Sequence, residues 1–330
     1  MNTSTDRHPF SRVMVASAGG IGLAPLTRFA RQFTDADARF RLVDIVCNPA
    51  TLYPALILSY PDWCEAHRAM VHGAQASLRE TADAVRDVVT APDTELIDLT
   101  ALRQGAAEAL AHAAAQWHAD LIAVAAHPCE HRRAGRVDPE ELVASAHCPI
   151  LYMPSVSSEP NDAVVRRVLV AIDGSDTALD ALRAALGIAP QDARVKVVYA
   201  ADDCFAWREW LPFDVVSQHR ARVLCRGAAM LEQSRRPAEA ALLDFDDDSG
   251  DASTAILAEA QRWQADLIVM GSHGMRGAPH PLPGHVTART LRDASCAVLV
   301  CPRAMPPSRA GSRQDAAPAA GADETVPFYL

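Results

Sequence analysis

The second half of the chain alternates between two hydrophobic periodicities. Short apolar runs predict five strands, which read RVLVAID, ARVKVVYAA, EAALLDF, ADLIVMGS and AVLVCP. Apolar residues spaced by three and four, as in Leu179, Leu182 and Leu186, predict helices between them, and further helices are expected at residues 213–234, in ASTAILAEAQRW and in GHVTARTLRDA. Apolar strands that alternate with helices need cover on both faces. We therefore expect an α/β fold with a mostly parallel, doubly wound, Rossmann-like sheet.

The first half of the chain repeats the second. WHADLIAVAAH (residues 117–127) matches WQADLIVMGSH (residues 263–273) at six of eleven positions. Two further segments match in the same order along the chain. SRVMVASAGG of the first half resembles RRVLVAIDGS of the second, and SAHCPILYMP resembles DASCAVLVCP. Three matching pairs of segments in the same order along the chain indicate a duplication. The sequence therefore predicts two tandem Rossmann-like domains, each with a five-stranded sheet and helices on both faces.

The flanking and connecting segments have a different composition. We expect a flexible N-terminus at residues 1–10, a first domain at 11–154, a polar linker at 155–163 and a second domain at 164–303. Residues 304–330 are rich in Ala, Pro and Gly without periodicity, which predicts disorder. The final VPFYL is either a docking peptide or an unstructured end.

Charge and cysteine content indicate which partners and which cellular location to expect. The net charge is −10 and the arginines are scattered, which argues against a nucleic-acid partner. No signal peptide is readable, and the charge-free stretch 45–61 is too broken by proline to span a membrane. The eight cysteines are Cys47, Cys64, Cys129, Cys148, Cys204, Cys225, Cys296 and Cys301. None forms a C-x-x-C pair, so we expect buried, reduced thiols and a cytoplasmic location.

A glycine loop follows the fourth strand of the second copy. Its glycines are Gly271, Gly274 and Gly284, spaced G-2x-G-9x-G, and His285 and Val286 come next. Ligands of open parallel sheets bind beyond the carboxyl ends of the strands. Glycines there let the backbone approach a phosphate, and a following helix N-terminus adds N–H groups and a positive dipole end. The loop therefore has the position and chemistry to hold a polyphosphate.

These residues carry a family resemblance, which covers nearly all of residues 11–303. The chain resembles a tandem universal stress protein, whose nucleotide-binding members have G-2x-G-9x-G followed by Ser or Thr, and an Asp within V-x-x-D-G-S. The resemblance implies that Asp173 faces the adenine and ribose, that the backbone around Val198 contacts the base, and that Val286 lies beside the phosphates. It implies ATP or another adenine nucleotide as the ligand, with Mg²⁺ as an optional companion.

The loop departs from that pattern at His285, where binding members have a hydroxyl. An imidazole is larger than a hydroxyl but can also donate a hydrogen bond to phosphate. Pro279, Pro281 and Pro283 also remove N–H groups from the loop. The alternative interpretation is that the glycines only make a tight turn.

The first copy lacks these features. Ala125 and Pro128 occupy the places of Gly271 and Gly274, and Ala18 occupies that of Asp173. We expect this copy not to bind ATP there but to pair with the second copy. The resemblance implies that the strands CPILYMP and CAVLVCP make that contact, since edge strands form the dimer in the family. An alternative is that ASAGGIG (residues 16–22) itself holds a phosphate.

Other candidate sites are weaker. A zinc site would have to use His127, Cys129, His131, His147 and Cys148, which match no standard spacing. The acidic stretch 244–251 suggests either Mg²⁺ or a solvated loop, and we favour the loop. His273 recurs as His127 in the degenerate copy, which indicates a structural role. No Ser-His-Asp order, nucleophile elbow or Walker A loop is present, so no catalytic residue is predicted.

Three functions remain open at this stage. The first is a cytoplasmic stress-response protein that binds an adenine nucleotide in the second copy and acts as a regulatory module on an unidentified protein partner. The second is a protein-interaction module without nucleotide, and the third is an adenylating enzyme of the related fold. The sequence leaves homodimerisation open.

Overall fold

The computed structural model of the chain describes residues 10–17, 22–102, 104–126, 136–154, 164–200, 213–234, 236–243, 251–274 and 282–302. Its strands are β1 (Phe10–Ser17), β2 (Thr34–Val46), β3 (Asp93–Asp98), β4 (Leu121–Ala125), β5 (Ile150–Met153), β6 (Arg167–Ile172), β7 (Arg194–Ala200), β8 (Ala238–Leu243), β9 (Leu267–Gly271) and β10 (Ala297–Cys301). The predicted N-terminus, linker and tail lie outside the described residues, except that β1 starts at Phe10, one residue before the predicted domain. Phe10 was assigned to the flexible N-terminus, but its ring is buried in the core.

The helices connect these strands in the expected alternation. They are α1 (Leu23–Arg31), α2 (Pro49–Leu52), α3 (Tyr60–Ala84), α4 (Ala106–Trp117), α5 (Pro139–Ser145), α6 (Asp176–Ile188), α7 (Phe213–Ser234), α8 (Ala252–Trp263) and α9 (His285–Asp293), with a short 3₁₀ helix at Pro54–Leu58. No helix among the described residues combines the length and the apolar character needed to cross a membrane.

All ten strands form one sheet, in the order β3-β2-β1-β4-β5-β10-β9-β6-β7-β8. Each half of the sheet has the same internal order, and the halves meet where β5 pairs with β10. That pair is antiparallel, with Val298 opposite Tyr152 and Leu299 opposite Leu151, whereas the other neighbouring strands are parallel. These are the two strands that the sequence predicted to make the contact between the copies.

The sheet buries both of its faces, as expected for parallel strands between helices. In β1, Val13 and Val15 belong to one apolar cluster, which includes residues of α1, α6 and α7. Met14 and Ala16 point to the opposite cluster, which includes residues of α4, α8 and α9. The α/β fold with a mostly parallel sheet and flanking helices is therefore confirmed.

The repeated W-x-A-D-L-I motif has the same structural role in each half. In the first half, Trp117 ends α4, His118 adopts left-handed backbone with φ of 55°, and the chain turns into β4. Asp120 then accepts hydrogen bonds from the backbone N–H groups of Ser11 and Arg12 at 2.7 and 2.8 Å. The aspartate thus holds the start of β1 beside the start of β4.

The second half reproduces this arrangement. Gln264 takes the left-handed conformation with φ of 53° after Trp263. Asp266 accepts from the N–H groups of Arg166 and Arg167 at 2.7 and 2.8 Å. Since a charged acceptor makes the stronger class of hydrogen bond, this carboxylate fixes the N-terminal edge of the second half of the sheet.

Both halves also place a cation against the tryptophan of this motif. The Arg41 guanidinium lies 4.8 Å from the centre of the Trp117 ring, and the Lys196 ammonium lies 5.7 Å from that of Trp263. Lys196 is buried, and its Nζ contacts Glu259 Oε1 of α8 at 2.8 Å. Burial opposes ionisation of Glu259, but hydrogen bonds from Lys196 and Arg262 outweigh it and lower its pKa. Because each charge compensates the other, the pair can remain inside the core.

The described cysteines are free thiols and only partly fit the expectation of burial. Cys47 and Cys301 are buried, but Cys225 on α7 is exposed, so the prediction was wrong for that residue. Cys225 lies on the solvent-facing side of α7, which the apolar runs of the sequence do not distinguish from the side that faces the core. Burial raises the pKa of Cys301 and of Cys148 to about 12, which keeps both thiols protonated.

Candidate functional site

The glycine loop begins at the crevice between β6 and β9. In the sheet order, β6 is followed along the chain by its neighbour β7 on one side, whereas β9 is followed by its neighbour β10 on the other side, so the connections leaving β6 and β9 run in opposite directions. Such a reversal of strand order opens a ligand crevice in doubly wound sheets. Asp173 follows β6 directly, and Gly271 is the last residue of β9. The two sequence-predicted elements of the site therefore meet at this switch point.

Asp173 is held in place by the turn that leads into α6. Its Oδ1 accepts hydrogen bonds from the Ser175 N–H at 3.0 Å and from the Ser175 hydroxyl at 2.7 Å. Gly174 has φ of 92°, which only glycine adopts at little cost, and this permits the sharp turn. The Ser175 hydroxyl oxygen also accepts from the Ala178 N–H at 3.2 Å and so caps α6. The carboxylate consequently has a defined direction.

The three glycines of the loop have different steric roles. At Gly274, an added Cβ would lie 2.5 Å from Asp173 Oδ2, so the loop passes directly against the carboxylate. At Gly271, it would lie 2.9 Å from Thr177 Cγ2 and 3.2 Å from the backbone of α6. At Gly284, the nearest atoms are 3.8 Å away, which is ordinary contact. Gly271 is therefore required by its close approach to backbone, Gly274 lies against a side-chain oxygen that a larger residue would displace, and Gly284 makes only ordinary contacts.

Backbone hydrogen bonds close the two ends of the loop on each other. The Ser272 N–H donates to the Cys301 carbonyl at 2.8 Å, and the Gly284 N–H donates to the Ser272 carbonyl at 2.9 Å. The Thr287 hydroxyl of α9 donates to the Gly271 carbonyl at 2.9 Å. The Gly284 N–H is thus used within the protein, and an anion at this position must rely on the next N–H groups of α9.

The N-terminus of α9 faces the start of the loop. Gly284 is its N-cap, and no described side chain caps the first turn. His285 is the first helical residue and is exposed, whereas Val286 is half-buried against the core. The positive end of the helix dipole therefore lies where the sequence places the phosphates.

Val198 and His273 support the site from inside the protein. Val198 lies in β7 between Ala171 of β6 and Ala241 of β8, and it is fully buried two residues before the strand ends. His273 is half-buried, and its Nδ1 lies 3.0 Å from the Ser272 hydroxyl. The contact of the Val198 backbone with a base stays a prediction.

Asp251 ties α8 to α9, a role that the sequence did not reveal. It caps α8 by accepting from the Thr254 N–H at 3.1 Å, and its Oδ2 lies 3.0 Å from Arg289 Nη1 of α9. Burial opposes its ionisation, but hydrogen bonds from Ser253 and Thr254 and the Arg289 charge lower its pKa to about 2. For this residue the solvated acidic loop was the wrong interpretation. Residues 244–250 lie outside the described residues.

At the corresponding edge of the first copy, only part of the chain is described. Ala125 ends β4 in the place of Gly271. Its other distinguishing residues, Ala18 and Pro128, lie outside the described residues, as do residues 127–135 of the zinc hypothesis and most of ASAGGIG. Within the described part of the chain, no group of His, Cys, Asp and Glu is arranged to hold a metal ion.

We expect Gly271→Ala to destabilise the protein much more than Gly284→Ala. The first change forces a methyl group into the backbone of α6 and should lower the free energy of unfolding by about 1–3 kcal/mol. The second meets only ordinary contacts and changes a helix cap, which should cost less than about 1 kcal/mol. Urea unfolding followed by circular dichroism measures both, and equal losses would contradict the packing described above.

Asp251→Asn should reduce stability in a pH-dependent manner. The folded pKa of Asp251 lies below its ordinary value, so its stabilisation is present above about pH 4 and is lost as the pH falls toward 2. We expect the variant to lose about 1 kcal/mol near neutral pH, because solvent screens a partly exposed charge, and to approach the parent only near pH 2. Asp293→Asn, whose contact with Arg289 is longer at 3.6 Å, is the control. A difference independent of pH would exclude an electrostatic cause.

Comparison with known proteins assigns the chain to a family. Residues 165–302 match the family model described as "Universal stress protein family". A universal stress protein of Methanocaldococcus jannaschii is 30% identical over 142 residues, which cover 41% of this chain and 81% of that protein. The universal stress protein YxiE of Bacillus subtilis is 27% identical over 143 residues, covering 41% of this chain and 97% of that protein.

Solved structures extend the similarity of the fold over both halves. A universal stress protein of Archaeoglobus fulgidus matches with a TM-score of 0.60 at 15% identity, over 88% of this chain and 96% of its own. A protein of unknown function from Pseudomonas aeruginosa matches with a TM-score of 0.58 at 17% identity, over 90% of this chain and 94% of its own. Because the family model matches residues 165–302 and the Methanocaldococcus jannaschii protein is 30% identical over 81% of its length, the chain belongs to the universal stress protein family.

Proposed function

We propose that the chain is a stress-response protein that binds ATP or a related adenine nucleotide in its second half and acts as a regulatory module. The observation that carries this proposal is the contact between Gly274 and Asp173 at the switch point between β6 and β9. It brings the carboxylate, the loop and the N-terminus of α9 to one crevice. The family resemblance supports the same ligand.

The chemistry of the crevice suits the two ends of a nucleotide. Asp173 is an acceptor, and it can take hydrogen bonds from ribose hydroxyls or from an amino group of the base. The first-turn N–H groups of α9 and its dipole favour the negative phosphates. Val198 would support the base through its backbone, and Val286 would lie beside the phosphates. A companion Mg²⁺ would neutralise phosphate charge, with no protein ligand assigned to it.

His285 gives the site a different phosphate donor from the hydroxyl of binding members. It stands at the first position of α9 and is exposed, so its ring has room to turn toward the loop. An imidazole N–H donates one hydrogen bond, as a hydroxyl does, but from a bulkier group. His285 is therefore compatible with a phosphate contact, at some cost in fit.

The first half would act as the structural partner of the second. Its β5 covers the edge of β10, while its own crevice has Ala125 in the place of Gly271. Binding of a nucleotide would then alter one half of a common sheet and change how the protein contacts an unidentified partner. We propose a cytoplasmic location and no enzymatic turnover beyond slow hydrolysis. A module that binds partners without nucleotide, and an adenylating enzyme, are the alternatives.

Calorimetric titration with ATP tests the proposal. We expect one site per chain, and at least a tenfold loss of affinity in Asp173→Ala, which removes the acceptor, and in Gly274→Ala, which displaces the carboxylate. His285→Ser restores the hydroxyl and should bind ATP at least as tightly as the parent. Asp180→Ala, on the exposed side of α6, is the matched control and should bind normally.

Three results would contradict the proposal. The absence of heat and of thermal stabilisation at millimolar ATP would remove nucleotide binding. Unchanged affinity in both site variants would move the site elsewhere, with ASAGGIG of the first copy as the next candidate. Rapid turnover of ATP would favour the adenylating enzyme.

A further inference from the structure

The first half exposes a group of large apolar side chains that its own core does not use. We call it the apolar patch, and its members lie between α2 and the start of α3. They are Leu52, Tyr53, Ile57, Leu58 and Tyr60, exposed by 41%, 64%, 73%, 90% and 75%. Single exposed apolar residues are normal on protein surfaces, but five within nine positions form a surface that water does not favour.

The patch rests on an ordered segment at the carboxyl ends of β2 and β3. The Trp63 indole N–H donates to the Asn48 carboxamide oxygen at 2.9 Å. The Tyr60 ring stacks on Trp63 with centroids 6.2 Å apart, and Trp63 stacks on His67 at 5.1 Å. The Nε2 atom of His67 lies 2.8 Å from Oδ2 of Asp98, the last residue of β3. Because these contacts fix the start of α3, the patch loses little conformational entropy on binding.

The area of the patch fits one segment of a partner protein. Two tyrosines and three aliphatic residues at these exposures offer on the order of 600 Å² of surface. The largest apolar patch of a typical monomer is about 300–600 Å² and often has a function. An amphipathic segment that lays its apolar face on such a surface needs only a few anchoring side chains. We therefore expect the partner to dock a single segment.

The charges that follow the patch along the chain are negative. Residues 45–61 carry no charged side chain, and Asp62 and Glu65 come next, on α3. Both are exposed, and because they are three positions apart they lie on one side of the helix. Neither has an ion-pair partner among the described residues. Arg68 lies about one turn farther from the patch. The two carboxylates are therefore available to cations of a partner.

These charges decide between the candidate occupants of the patch. A two-fold contact with a second copy would bring Asp62 and Glu65 near their own copies. The tail carries Asp323 and Glu324 directly before its apolar VPFYL, so it would also bring like charges together. Nucleic acids and anionic lipid surfaces are repelled for the same reason. A segment that combines apolar side chains with Lys or Arg complements both the patch and the carboxylates.

We propose that the apolar patch, with Asp62 and Glu65 beside it, binds a basic amphipathic segment of a partner protein. The apolar side of the segment covers Leu58 and its neighbours, and its Lys or Arg side chains pair with the two carboxylates. The exposed rings of Tyr53 and Tyr60 also attract cations to their faces. The inference rests on the regulatory role in the proposed function and names the chemistry of its partner, whereas the docking itself needs no nucleotide.

Fluorescence anisotropy of a labelled peptide, titrated with the full chain in the absence of nucleotide, tests the proposal. The peptide is a helix of Leu and Lys whose Leu residues, spaced by three and four, form one face. We expect it to bind, and to bind more weakly at higher salt, because salt screens its attraction to Asp62 and Glu65. A matched peptide with Glu in place of each Lys should bind about tenfold more weakly, because like charges repel.

Two pairs of variants separate the patch from the general acidity of the chain. Leu58→Ser removes an anchor and should weaken binding of the Lys peptide about tenfold, whereas Val164→Ser, at another exposed apolar position, should not. Glu65→Lys should weaken binding about threefold. Glu80→Lys changes the net charge equally but lies roughly 20 Å farther along α3, so it should have little effect.

The absence of Lys-peptide binding, equal binding of the two peptides, or equal effects within either pair of variants would overturn the proposal. Evidence for another occupant would do the same. A peptide of residues 323–330 that binds more tightly than the Lys peptide would assign the patch to the tail. A sedimentation mass of two chains that Leu58→Ser returns to one would assign it to a second copy. Vesicles with phosphatidylserine that bind the parent but not Leu58→Ser would assign it to a lipid surface.

Discussion

The antiparallel pairing of β5 with β10 is the contact on which the architecture depends. Each half ends in a short apolar strand, and an exposed strand of this kind would leave unpaired N–H and C=O groups and invite aggregation. Joining the two strands covers both edges at once and turns two five-stranded sheets into one of ten strands. Because the pair is antiparallel, the strands of the two halves run in opposite directions, and their carboxyl ends lie at opposite ends of the common sheet. The halves therefore keep separate crevices while sharing a continuous core.

This pairing lets the two halves differ in sequence while the ten-stranded sheet is kept. Both halves have an aspartate, Asp120 or Asp266, that binds the start of the neighbouring strand, and a cation against Trp117 or Trp263. The residues at the carboxyl ends of β4 and β9 differ between the halves. Gly271 is required by the backbone of α6, whereas Ala125 ends β4 in the corresponding place of the first half. The two halves can therefore differ at the carboxyl ends of their strands while they share one sheet.

The sequence predicted the strands and helices of the second half almost completely, because its apolar runs are continuous and its helices begin at clear capping residues such as Ser175. It also singled out Asp173 and Gly274, which the structure places against each other. It did not reveal the Lys196–Glu259 pair or the Asp251–Arg289 link, since each joins residues far apart in the chain. Nor did it predict that Leu58, at the end of the 3₁₀ helix, is exposed, because an apolar residue in an aperiodic segment gives no sign of the side it faces.

Hydrogen–deuterium exchange, measured by mass spectrometry with and without ATP, tests the central claim that one half of a common sheet holds the nucleotide. We expect slower exchange in peptides that contain residues 173–175 and 271–286, and no change in peptides from residues 10–154. Protection in the first half, or equal protection in both halves, would contradict it.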